Sequence, residues 1–582
     1  MLALFGLIIP AGVLAAKPVP PSPVTIQILN VSDWHGNVDP LTGVGGAWNI
    51  SDRWDEDSLA YPTLRLTAGD DYGATPPVSS FFDDVPAILA ERLMGIQVGT
   101  LGNHNFDSGI AHLQDQINLA GAPTSTDTPG DPFRYVAANL KNVNANVTGV
   151  APYQMFNVGG VRVAVIGIVN EEAPTLVLPG AFGTIVITDG VTAANKYAEM
   201  ARGKNKADAV VVITHKGVRN ATAPSGELIE FADRLDPTLV DVVIGDHTDV
   251  SYSGNRNGIL VHENRSYGGT YAKTLLTVQP KAHGAGGRVT TKSVEFVTPT
   301  AGALTDNQTS CGDLTYCDQA IVDMLAPYRT QLAILLDGKI GTTTEPFKRG
   351  NNIERTREMP IGDLVADGMR WRYGTQLAMV NGGGIRSQMP TCSYSPTDTT
   401  LHRSAWDAAT LTTIGACAGY AAGGPYDIVL GDAFAALNFS NILNTRTVTG
   451  AQLWLAMEHS VRSMPSANGR FAQISGFKFG FRDDITTGCD TATHCNIARI
   501  QWMTLSDGTP IPNDSSATYT LALTNFTNLG GDGYFMFNDG VGASQEIDWI
   551  VMAEYIKAHP ALDPLSWTYD RINHCSGACL AP

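Results

Sequence analysis

The stretch VTIQILNVSD (residues 24–33) is a short, β-branched apolar run that ends in an aspartate. Continuous apolar runs of this length are typical of strands that are buried on both faces, as in layered α/β domains. Polar loops and helical stretches separate this run from five similar ones, which are TLRLTAGD (63–70), QVGTLGNH (97–104), VRVAVIGIV (161–169), ADAVVVITH (207–215) and VDVVIGDH (240–247). The pattern predicts an α/β domain over residues 24–300.

Five of these six runs end in Asp, Asn or His. Ligands of open α/β sheets gather at the carboxyl ends of the strands. A single histidine after a strand is usually a polar loop residue, and a single aspartate there is often a helix cap. Taken together, however, these residues offer the carboxylate and imidazole ligands that two divalent metal ions require, with a carboxylate able to bridge them. The candidates are Asp33, His35, Asp70, Asn103, His104, His215, His247 and Asp249.

The overall composition limits the class of protein. A chain of 582 residues is too long for one ordinary core, so two domains are expected. The formal net charge of −18 argues against a nucleic-acid polymer or an anionic membrane surface as partner. It does not exclude small anionic substrates, because metal ions and a few arginines can reverse the local field.

The second half of the chain has a different pattern. Residues 281–312 are rich in glycine and polar residues and indicate a boundary, and a helical stretch from about residue 316 to 336 lies within a predicted bridging segment, 313–340. Helical and strand patterns then mix over residues 341–572, where GDLVADGMRWRY and TGAQLWLAMEHSVRSM are helical and LAMVNGGGI and TYTLALTNF are strand-like. This mixture predicts a separate α+β domain.

The first residues, MLALFGLIIPAGVLAA (1–16), have an apolar middle and small residues at the end. This pattern favours a secretion signal over a membrane span. The C-terminal HCSGACLAP has no hydrophobic tail of the kind removed when a lipid anchor is added, so no membrane anchor is expected. We therefore expect a secreted protein, in which sequons such as Asn146-Val147-Thr148 permit glycosylation.

The eight cysteines lie in four pairs that are close in sequence: Cys311/Cys317, Cys392/Cys417, Cys489/Cys495 and Cys575/Cys579. An even number in a secreted chain favours disulfides, although eight cysteines allow 105 pairings. The alternative is a thiolate metal site. None of the pairs has CxxC spacing, and all lie far from the histidine-rich motifs, so we predict disulfides.

The order of motifs in the first half, D-x-H, GD, GNH, TH and finally H-x-D, resembles that of the calcineurin-like metallophosphoesterases. The resemblance implies a four-layer α/β/β/α sandwich and two divalent ions bridged by Asp70. One ion would be held by Asp33, His35 and Asp249, and the other by Asn103, His215 and His247. Zinc is the first expectation, with manganese or another divalent ion as alternatives. Asp249 stands where the 5′-nucleotidase branch normally has Asn or Gln, and this leaves the choice of metal open.

The segment GNHNFD (residues 102–107) also resembles the family's GNHEFD, with Asn105 in place of Glu. The resemblance makes His104 and Asp107 the catalytic pair: His104 acts on the phosphoryl group or the leaving oxygen, and Asp107 orients its ring. Since Asn105 has neither role, we expect the replacement to have a modest cost.

Motifs of the second half resemble the C-terminal domain of 5′-nucleotidases. They are TREMPIGDLVADGM, NGGGIR, NFSNILNTRTVTG and NFTNLGGDGY. Asn438 departs from the proline common in that family, which is expected to shift the loop that carries Phe439. By position, phosphate would be held by Arg357 and Arg386, the base by Phe439 and Phe526, the ribose by Asp532, and further polar groups by Asn381 and Asn441.

These resemblances imply a secreted 5′-nucleotidase that converts nucleoside 5′-monophosphates to nucleoside and phosphate through a hydroxide activated by two metal ions. Nucleoside di- and triphosphates, UDP-sugars and 2′,3′-cyclic nucleotides are alternative substrates, because they require the same metal centre. From a different class, an inactive nucleotide-binding protein is the alternative, but it would be expected to have damaged metal ligands. The sequence leaves the oligomeric state open.

Overall fold

A computed structural model describes residues 22–41, 44–279, 286–300, 311–312, 314–350, 352–394, 396–398, 400–403, 423–485, 499–575, 577 and 579. The predicted secretion signal at residues 1–16 and the cysteines Cys417, Cys489 and Cys495 lie outside these ranges. Among the helices of the described ranges, none combines the length and the hydropathy that a membrane span requires.

The N-terminal half contains a sheet of seven strands. In spatial order they are β17 (Arg288–Val297), β16 (Tyr271–Gln279), β1 (Val24–Val31), β4 (Thr63–Thr67), β5 (Val98–Thr100), β6 (Arg134–Val136) and β8 (Val150–Ala151). The five strands β1, β4, β5, β6 and β8 are parallel to one another, and β16 and β17 are antiparallel to their neighbours. The predicted runs at 24–33, 63–70 and 97–104 therefore end side by side at one edge of this sheet.

A second sheet of six strands packs against the first. Its order is β14 (Tyr252–Arg256), β15 (Ile259–Glu263), β13 (Val242–Gly245), β12 (Ala209–Thr214), β10 (Val161–Ile168) and β9 (Tyr153–Val158). The four central strands are parallel. Small pairs, β2 (Pro40–Leu41) with β3 (Val44–Gly45) and β7 (Leu140–Lys141) with β11 (Val186–Ile187), complete the strands of this half.

Helices cover the outer face of each sheet, so the predicted α/β/β/α sandwich is confirmed. Side chains such as Ile26, Leu64, Val211 and Ile244 form the core between the sheets. On the first sheet lie α1 (Ala47–Ser58), α2 (Pro77–Ser80), α3 (Val85–Leu93) and α4 (Gly109–Ala120), and on the second α5 (Gly190–Gly203) and α6 (Glu227–Asp233). Burial on both faces explains why the strands are uniformly apolar.

The helix α7 (Gln319–Leu336) follows the sandwich and packs against α1 and α3. It begins later than the predicted residue 316 because Asp318 caps it, accepting a hydrogen bond from the Ala320 N–H at 2.9 Å. A disulfide between Cys311 and Cys317 precedes the cap. The predicted pair Cys575–Cys579 is also bonded.

The C-terminal half is built on three smaller sheets. Their spatial orders are β20 (Tyr426–Val429), β18 (Lys339–Thr343), β27 (Ala561–Leu562); β22 (Ala472–Ser475), β19 (Leu377–Asn381), β25 (Thr518–Thr524), β21 (Ile442–Thr449), β26 (Ala543–Ile547); and β24 (Ile500–Leu505), β23 (Phe477–Phe481), β28 (Ile572–His574). Its helices are α8 (Pro360–Tyr373), α9 (Leu430–Ala436), α10 (Gly450–Ser460), α11 (Asn525–Asn528) and α12 (Asp548–Ala558). The mixture agrees with the predicted α+β class, and the four quoted patterns form α8, α10, β19 and β25.

Helix α10 shows how local sequence determines an element of this half. Thr449 and Gln452 form a capping box: the Gln452 N–H donates to Thr449 Oγ1 at 3.1 Å, and the Thr449 N–H donates to Gln452 Oε1 at 3.0 Å. The apolar side chains of Leu453, Ala456 and Met457 then face the core. The capping box therefore fixes the start of α10, and the packed apolar face fixes its position on the core.

Candidate functional site

The candidate metal ligands follow five parallel strands and meet at one edge of the sandwich. Because β1, β4 and β5 are neighbours in one sheet and β12 and β13 in the other, the loops after them converge. All of these ligands line one cleft except His215, which is 0% exposed. They are Asp33 and His35 after β1, Asp70 after β4, Asn103 after β5, His215 after β12, and His247 and Asp249 after β13.

The backbone at these strand ends is in the left-handed region. The φ angles are 50° at Asp33 and His35, 41° at Asp70, 95° at His247 and 55° at Asp249. Non-glycine residues rarely adopt positive φ, and such conformations cluster at functional sites because the surroundings must stabilise them. The loops are therefore shaped to hold these side chains in place at a cost in local backbone energy.

One group of ligand atoms centres on His215. Its Nε2 lies 2.8 Å from Asp70 Oδ2 and 3.0 Å from His247 Nδ1, and the three atoms fall within 4.8 Å of one another. The neighbouring Asn103 is 2% exposed, and its Oδ1 accepts no hydrogen bond. These four residues include the three that the sequence assigned to one ion, together with the predicted bridge.

A second group contains His35, Asp70 and His104. The Nδ1 of His35 lies 2.7 Å from the carbonyl oxygen of Gly73. Because a carbonyl oxygen can only accept, Nδ1 carries a hydrogen, and Nε2 is the nitrogen that could bind an ion. That Nε2 lies 3.1 Å from Asp33 Oδ1. Since Asp70 belongs to both groups, its carboxylate occupies the position that a bridging ligand needs.

Asp249 is placed differently from the other predicted ligands. Its Oδ1 accepts a hydrogen bond from the Ser266 N–H at 3.1 Å, and its Oδ2 lies 3.6 Å from Arg265 Nη2. It lines the cleft but belongs to none of the three groups of ligand atoms within 4.8 Å that the described residues form. Its role as a metal ligand stays a prediction.

The charges around Asp70 are strongly coupled. Burial works in the opposite direction, but His215 and His104 hold the pKa of Asp70 well below its ordinary value. Burial likewise opposes the shift at Asp33, yet His35 lowers the pKa of that carboxyl to about 2. Both carboxylates are therefore ionised at neutral pH, which is the state that binds a cation.

The residues present fit divalent metal ions. Carboxylate, imidazole and amide oxygen are ligands for hard and borderline cations. The Oδ1 of Asn103 is buried and accepts no hydrogen bond, whereas the buried Oδ2 of Asp70 lies 2.8 Å from His215 Nε2. A buried acceptor without a donor is costly unless another electrophile satisfies it, so Asn103 agrees with a bound cation.

His104 and Asp107 form a hydrogen-bonded pair beside these groups. The Nδ1 of His104 lies 2.8 Å from Asp107 Oδ2, and its backbone N–H donates to Asp70 Oδ1 at 2.8 Å. Because a carboxylate can only accept, Nδ1 donates and the tautomer is fixed. Asp107 therefore holds the His104 ring, and Asp70 holds the His104 backbone.

Phe439 of the C-terminal half stacks on this histidine. The rings of His104 and Phe439 are 5.6 Å apart and inclined by 16°, and the Arg386 guanidinium lies 5.5 Å from the Phe439 ring centre. Asn438 Nδ2 also donates to the carbonyl oxygen of Thr75, at 2.8 Å. These contacts bring the second half directly onto the predicted catalytic residue.

The two halves enclose one cleft of about 1360 Å³. Its walls carry the ligand residues and His104 on one side and, on the other, Asn381, Arg386, Phe439, Asn441, Phe526 and Asp532. The predicted residues of both halves thus face one volume, with the exceptions of His215 and Arg357.

The structure places Arg357, which the resemblance assigned to the phosphate, differently from the nearby Arg355. Arg357 is exposed and does not line the cleft, and its carbonyl oxygen accepts from Gln473 Nε2 at 2.8 Å. Arg355 lines the cleft, and its Nε makes no hydrogen bond, lying 3.6 Å from Glu354 Oε1. Arg355 and Arg386 are therefore two cationic residues of the second half on the wall of the cleft, and Arg349 is paired to Glu354 at 2.9 Å.

Polar residues of the second half are also pre-arranged. Asn381 Nδ2 donates to Asp532 Oδ2 at 2.8 Å, and His459 Nε2 lies 2.8 Å from the Asp532 carbonyl oxygen. The half-buried Phe526 ring packs so closely on Gly531 that a Cβ there would lie 2.5 Å from it. The backbone oxygen of Asn441 accepts from the Asp548 N–H at 2.9 Å. The cleft therefore offers a fixed carboxylate beside a partly exposed aromatic face.

Sequence reasoning missed two further residues near the ligands. Asp246 directly follows β13 and is 1% exposed, so the rule that selected the other strand ends could have found it. Glu172 Oε1 lies 3.3 Å from His247 Nε2, but it comes from a loop with no distinctive pattern. Only the fold brings Glu172 to the cleft.

Comparisons with known proteins agree with this geometry. A family model described as "5'-nucleotidase, C-terminal domain" matches residues 339–539, and one described as "Bacterial capsule synthesis protein PGA_cap" matches residues 140–253. The 5'-nucleotidase precursor from Thermus thermophilus is similar in structure, with a TM-score of 0.72, 22% identity, and 95% of this chain and 100% of that chain covered. At this identity the likeness is one of fold.

Curated relatives match along most of this chain. Endonuclease YhcR of Bacillus subtilis (strain 168) is 28% identical over 539 residues, which are 89% of this chain and 38% of the relative. Snake venom 5'-nucleotidase of Gloydius brevicauda is 24% identical over 594 residues, covering 93% of this chain and 88% of the relative. The chain spans only 38%, 64% and 30% of the first three curated relatives it matches.

Proposed function

We propose that this chain, which belongs to the 5′-nucleotidase family, is a metal-dependent hydrolase that releases phosphate from nucleoside 5′-monophosphates. One observation carries the proposal: two groups of metal-ligand atoms, apart from the fully buried His215, and the cationic and aromatic residues of the second half line a single cleft. The first set suits a phosphoryl group and the second a nucleoside. A substrate that contains both would occupy the whole cleft.

In this proposal Asp33, His35 and Asp249 would hold one divalent ion and Asn103, His215 and His247 would hold another. Asp70 would be a ligand shared by the two ions. When bound, the ions would activate a water molecule and offset negative charge on the phosphoryl oxygens. Zinc and manganese both suit the mixture of imidazole and carboxylate ligands.

Arg355 and Arg386 hold the phosphate of the substrate. Guanidinium groups match phosphate oxygens with paired N–H donors. The positions of both arginines on the wall of the cleft support this role. His104, held by Asp107, stabilises charge on the phosphoryl group or supplies a proton to the leaving oxygen.

The nucleoside is held by the second half. Phe439 and Phe526 contact the base through their ring faces, an interaction of about 1–3 kcal/mol per base. Asp532 accepts hydrogen bonds from ribose hydroxyls, and Asn381, which donates to the same carboxylate, keeps it in place. Asn441 adds a polar contact at the same wall.

We also propose that the protein is secreted. The disulfides Cys311–Cys317 and Cys575–Cys579 support this, because disulfides persist in oxidising compartments.

Phosphate release tests the proposal. Purified chain with zinc or manganese is assayed on AMP, ATP, UDP-glucose and 2′,3′-cyclic AMP, and we expect AMP to be hydrolysed with the highest kcat/KM. Preference for another of the four would retain the enzyme class and change the substrate. Release from none of them would overturn the proposal.

A histidine variant separates catalysis from binding. His104→Ala should keep its metal content and lose about 10²- to 10⁴-fold in kcat. His559→Ala, on the exposed end of α12 and away from the cleft, is the matched control and should retain wild-type turnover. An inactive nucleotide-binding protein would bind AMP and show no difference between the two variants.

A further inference from the structure

The carboxylate of Asp246 contacts three of the candidate ligand residues at once. Its Oδ2 accepts from the Asp33 backbone N–H at 2.7 Å and lies 3.3 Å from His215 Nδ1. Its Oδ1 accepts from the His247 backbone N–H at 2.9 Å. Asp33 belongs to the first sheet and the two histidines to the second, so this single side chain joins the ligand loops of both sheets.

The partner of Nδ1, the second ring nitrogen of His215, affects which of the two nitrogens carries the hydrogen. The ring is 0% exposed, so water does not replace a missing partner. Its Nε2 faces Asp70 Oδ2 at 2.8 Å and His247 Nδ1 at 3.0 Å. An imidazole can bind a metal ion through Nε2 only when its hydrogen is on Nδ1.

We propose that Asp246 is a positioning residue of the metal centre, whose carboxylate keeps the hydrogen of His215 on Nδ1 and leaves Nε2 free to bind the ion. The inference rests on the proposed function, because it assigns a role around the metal ions of that function. Both ring nitrogens of His215 face a carboxylate, Nε2 that of Asp70 and Nδ1 that of Asp246. When an ion takes the place beside Nε2, the single hydrogen of the neutral ring lies on Nδ1, where the Asp246 carboxylate accepts it.

The same carboxylate also stabilises the backbone of two ligand loops. Asp33 and His247 have φ angles of 50° and 95°, and the N–H of each donates to Asp246. Charge-assisted hydrogen bonds of this kind are stronger than neutral ones. Asp246 thereby offsets part of the backbone cost that the ligand geometry imposes.

An asparagine cannot reproduce these contacts. With its oxygen towards Asp33 and His215, its amide group would point N–H at the N–H of His247. In the opposite orientation it could only donate to His215 Nδ1, and this would favour the tautomer whose Nε2 carries the hydrogen. Asp246→Asn is therefore a nearly isosteric change that either loses the His247 contact or favours the wrong tautomer of His215.

The metal affinities of Asp246→Asn and Asp208→Asn test the proposed role. Asp208 is a matched buried carboxylate of the same sheet, 5% exposed, which accepts from the Arg162 N–H at 2.9 Å and is remote from the cleft. Zinc and manganese affinities are measured by chelator competition on folded protein. We expect affinity about 10- to 100-fold weaker for Asp246→Asn and within about twofold of wild type for Asp208→Asn.

A second measurement needs no variant of Asp246. In zinc-loaded wild type with ¹⁵N-labelled histidine, His215 should show a protonated Nδ1 and a metal-bound Nε2, the signal being assigned by its loss in His215→Asn. An Nδ1 bound to zinc, or equal metal affinity in Asp246→Asn and wild type, would overturn the inference. Wild type that binds no metal would instead overturn the proposed function.

Discussion

Arg355 and Arg357 are separated by one residue, yet their surroundings differ completely. Arg355 lines the cleft, with its Nε 3.6 Å from Glu354 Oε1, whereas Arg357 is exposed and does not line the cleft. Residue type and spacing do not distinguish them. The short 3₁₀ turn Ile353–Arg355 does, because it directs one side chain inward and the other outward.

The first prediction concerns these two arginines. Arg355→Ala should lower kcat/KM for AMP by about 10- to 100-fold, since a charged hydrogen bond to phosphate is worth about 1.5–3 kcal/mol. Arg357→Ala should stay within about twofold of wild type. Steady-state kinetics on both variants makes the comparison, and a greater loss from Arg357→Ala would contradict the assignment.

Asn105, the departure from the family's GNHEFD pattern, has a structural role. Its Oδ1 accepts from the Gly102 N–H and its Nδ2 donates to Asp71 Oδ1, both at 2.7 Å. Burial raises the pKa of Asp71 to about 6, and the buried Glu91 is its neighbour. A glutamate at position 105 would place a third carboxyl group there, so the asparagine suits its surroundings.

The second prediction exchanges this pair. Asn105→Asp should destabilise the fold by about 2–4 kcal/mol, because it sets two carboxylates against each other and leaves one buried without a donor. Adding Asp71→Asn restores a donor and should recover more than half of that loss. Urea unfolding of the two single variants and the double variant measures the coupling, and simple additivity would contradict the role.

At the scale of elements, α10 is tied to β24 by one glutamate. Glu458 Oε1 accepts from the Ile500 N–H at 2.9 Å, and its Oε2 accepts from the Arg499 N–H at 3.1 Å. Helix α10 places His459 at the cleft, against the Asp532 carbonyl oxygen. The anchoring of this helix therefore affects the wall that we assign to the nucleoside.

The third prediction concerns pH. Burial raises the pKa of Glu458 from 4.5 to about 7, so the folded state holds its proton more tightly than the unfolded state does. The contribution of the protonated Glu458 to the free energy of unfolding is complete below pH 4.5. It is lost as the pH rises through 7, and the loss is no more than about 3 kcal/mol. Urea unfolding from pH 5 to 8 should show the free energy of unfolding falling with pH in wild type and falling less in Glu458→Gln. The same pH dependence in both proteins would contradict the role of Glu458.

At the scale of the whole molecule, function depends on contact between the halves. Helix α7 packs on the first half, and its C-cap Asp337 accepts from the Thr397 N–H of the second at 2.8 Å. Phe81 of the first half and Phe434 of the second pack edge to face, with their ring centres 5.6 Å apart. Asn438 of the second half donates a hydrogen bond to the Thr75 carbonyl oxygen of the first. A proline at position 438, as is common in the family, could not make this last bond.

The fourth prediction tests the Asn438 contact. Asn438→Ala should loosen the contact between the halves and raise KM for AMP about three- to tenfold, since one buried hydrogen bond is worth about 0.5–1.5 kcal/mol. Asn438→Asp keeps the shape but has no hydrogen to donate, so it should behave like alanine. Kinetics and the radius of gyration from small-angle scattering check both variants. Wild-type values in both would contradict the contact's role.

Much of this protein could be predicted from local pattern. The apolar runs predicted six central strands of the two sheets, because burial on two faces demands continuous apolar sequence. The polar residues at their ends identified eight candidate residues, because parallel strands end at a common edge. Glu172 and Arg355 could not be selected in this way, since neither stands in a pattern that distinguishes it from its neighbours.

The sequence by itself determined the layered α/β class and the polar residues at the strand ends, because these follow from periodicity and short-range order. Its resemblance to a known family implied the four-layer sandwich and the pair His104 and Asp107. Only the tertiary structure decided which atoms meet. It placed Asp70 in both ligand groups, Asp246 against three ligand residues, and Phe439 on His104. Some of these contacts join distant parts of the chain, such as Asp33 and Asp246, 213 positions apart, and their distances depend on how the sheets and the two halves pack.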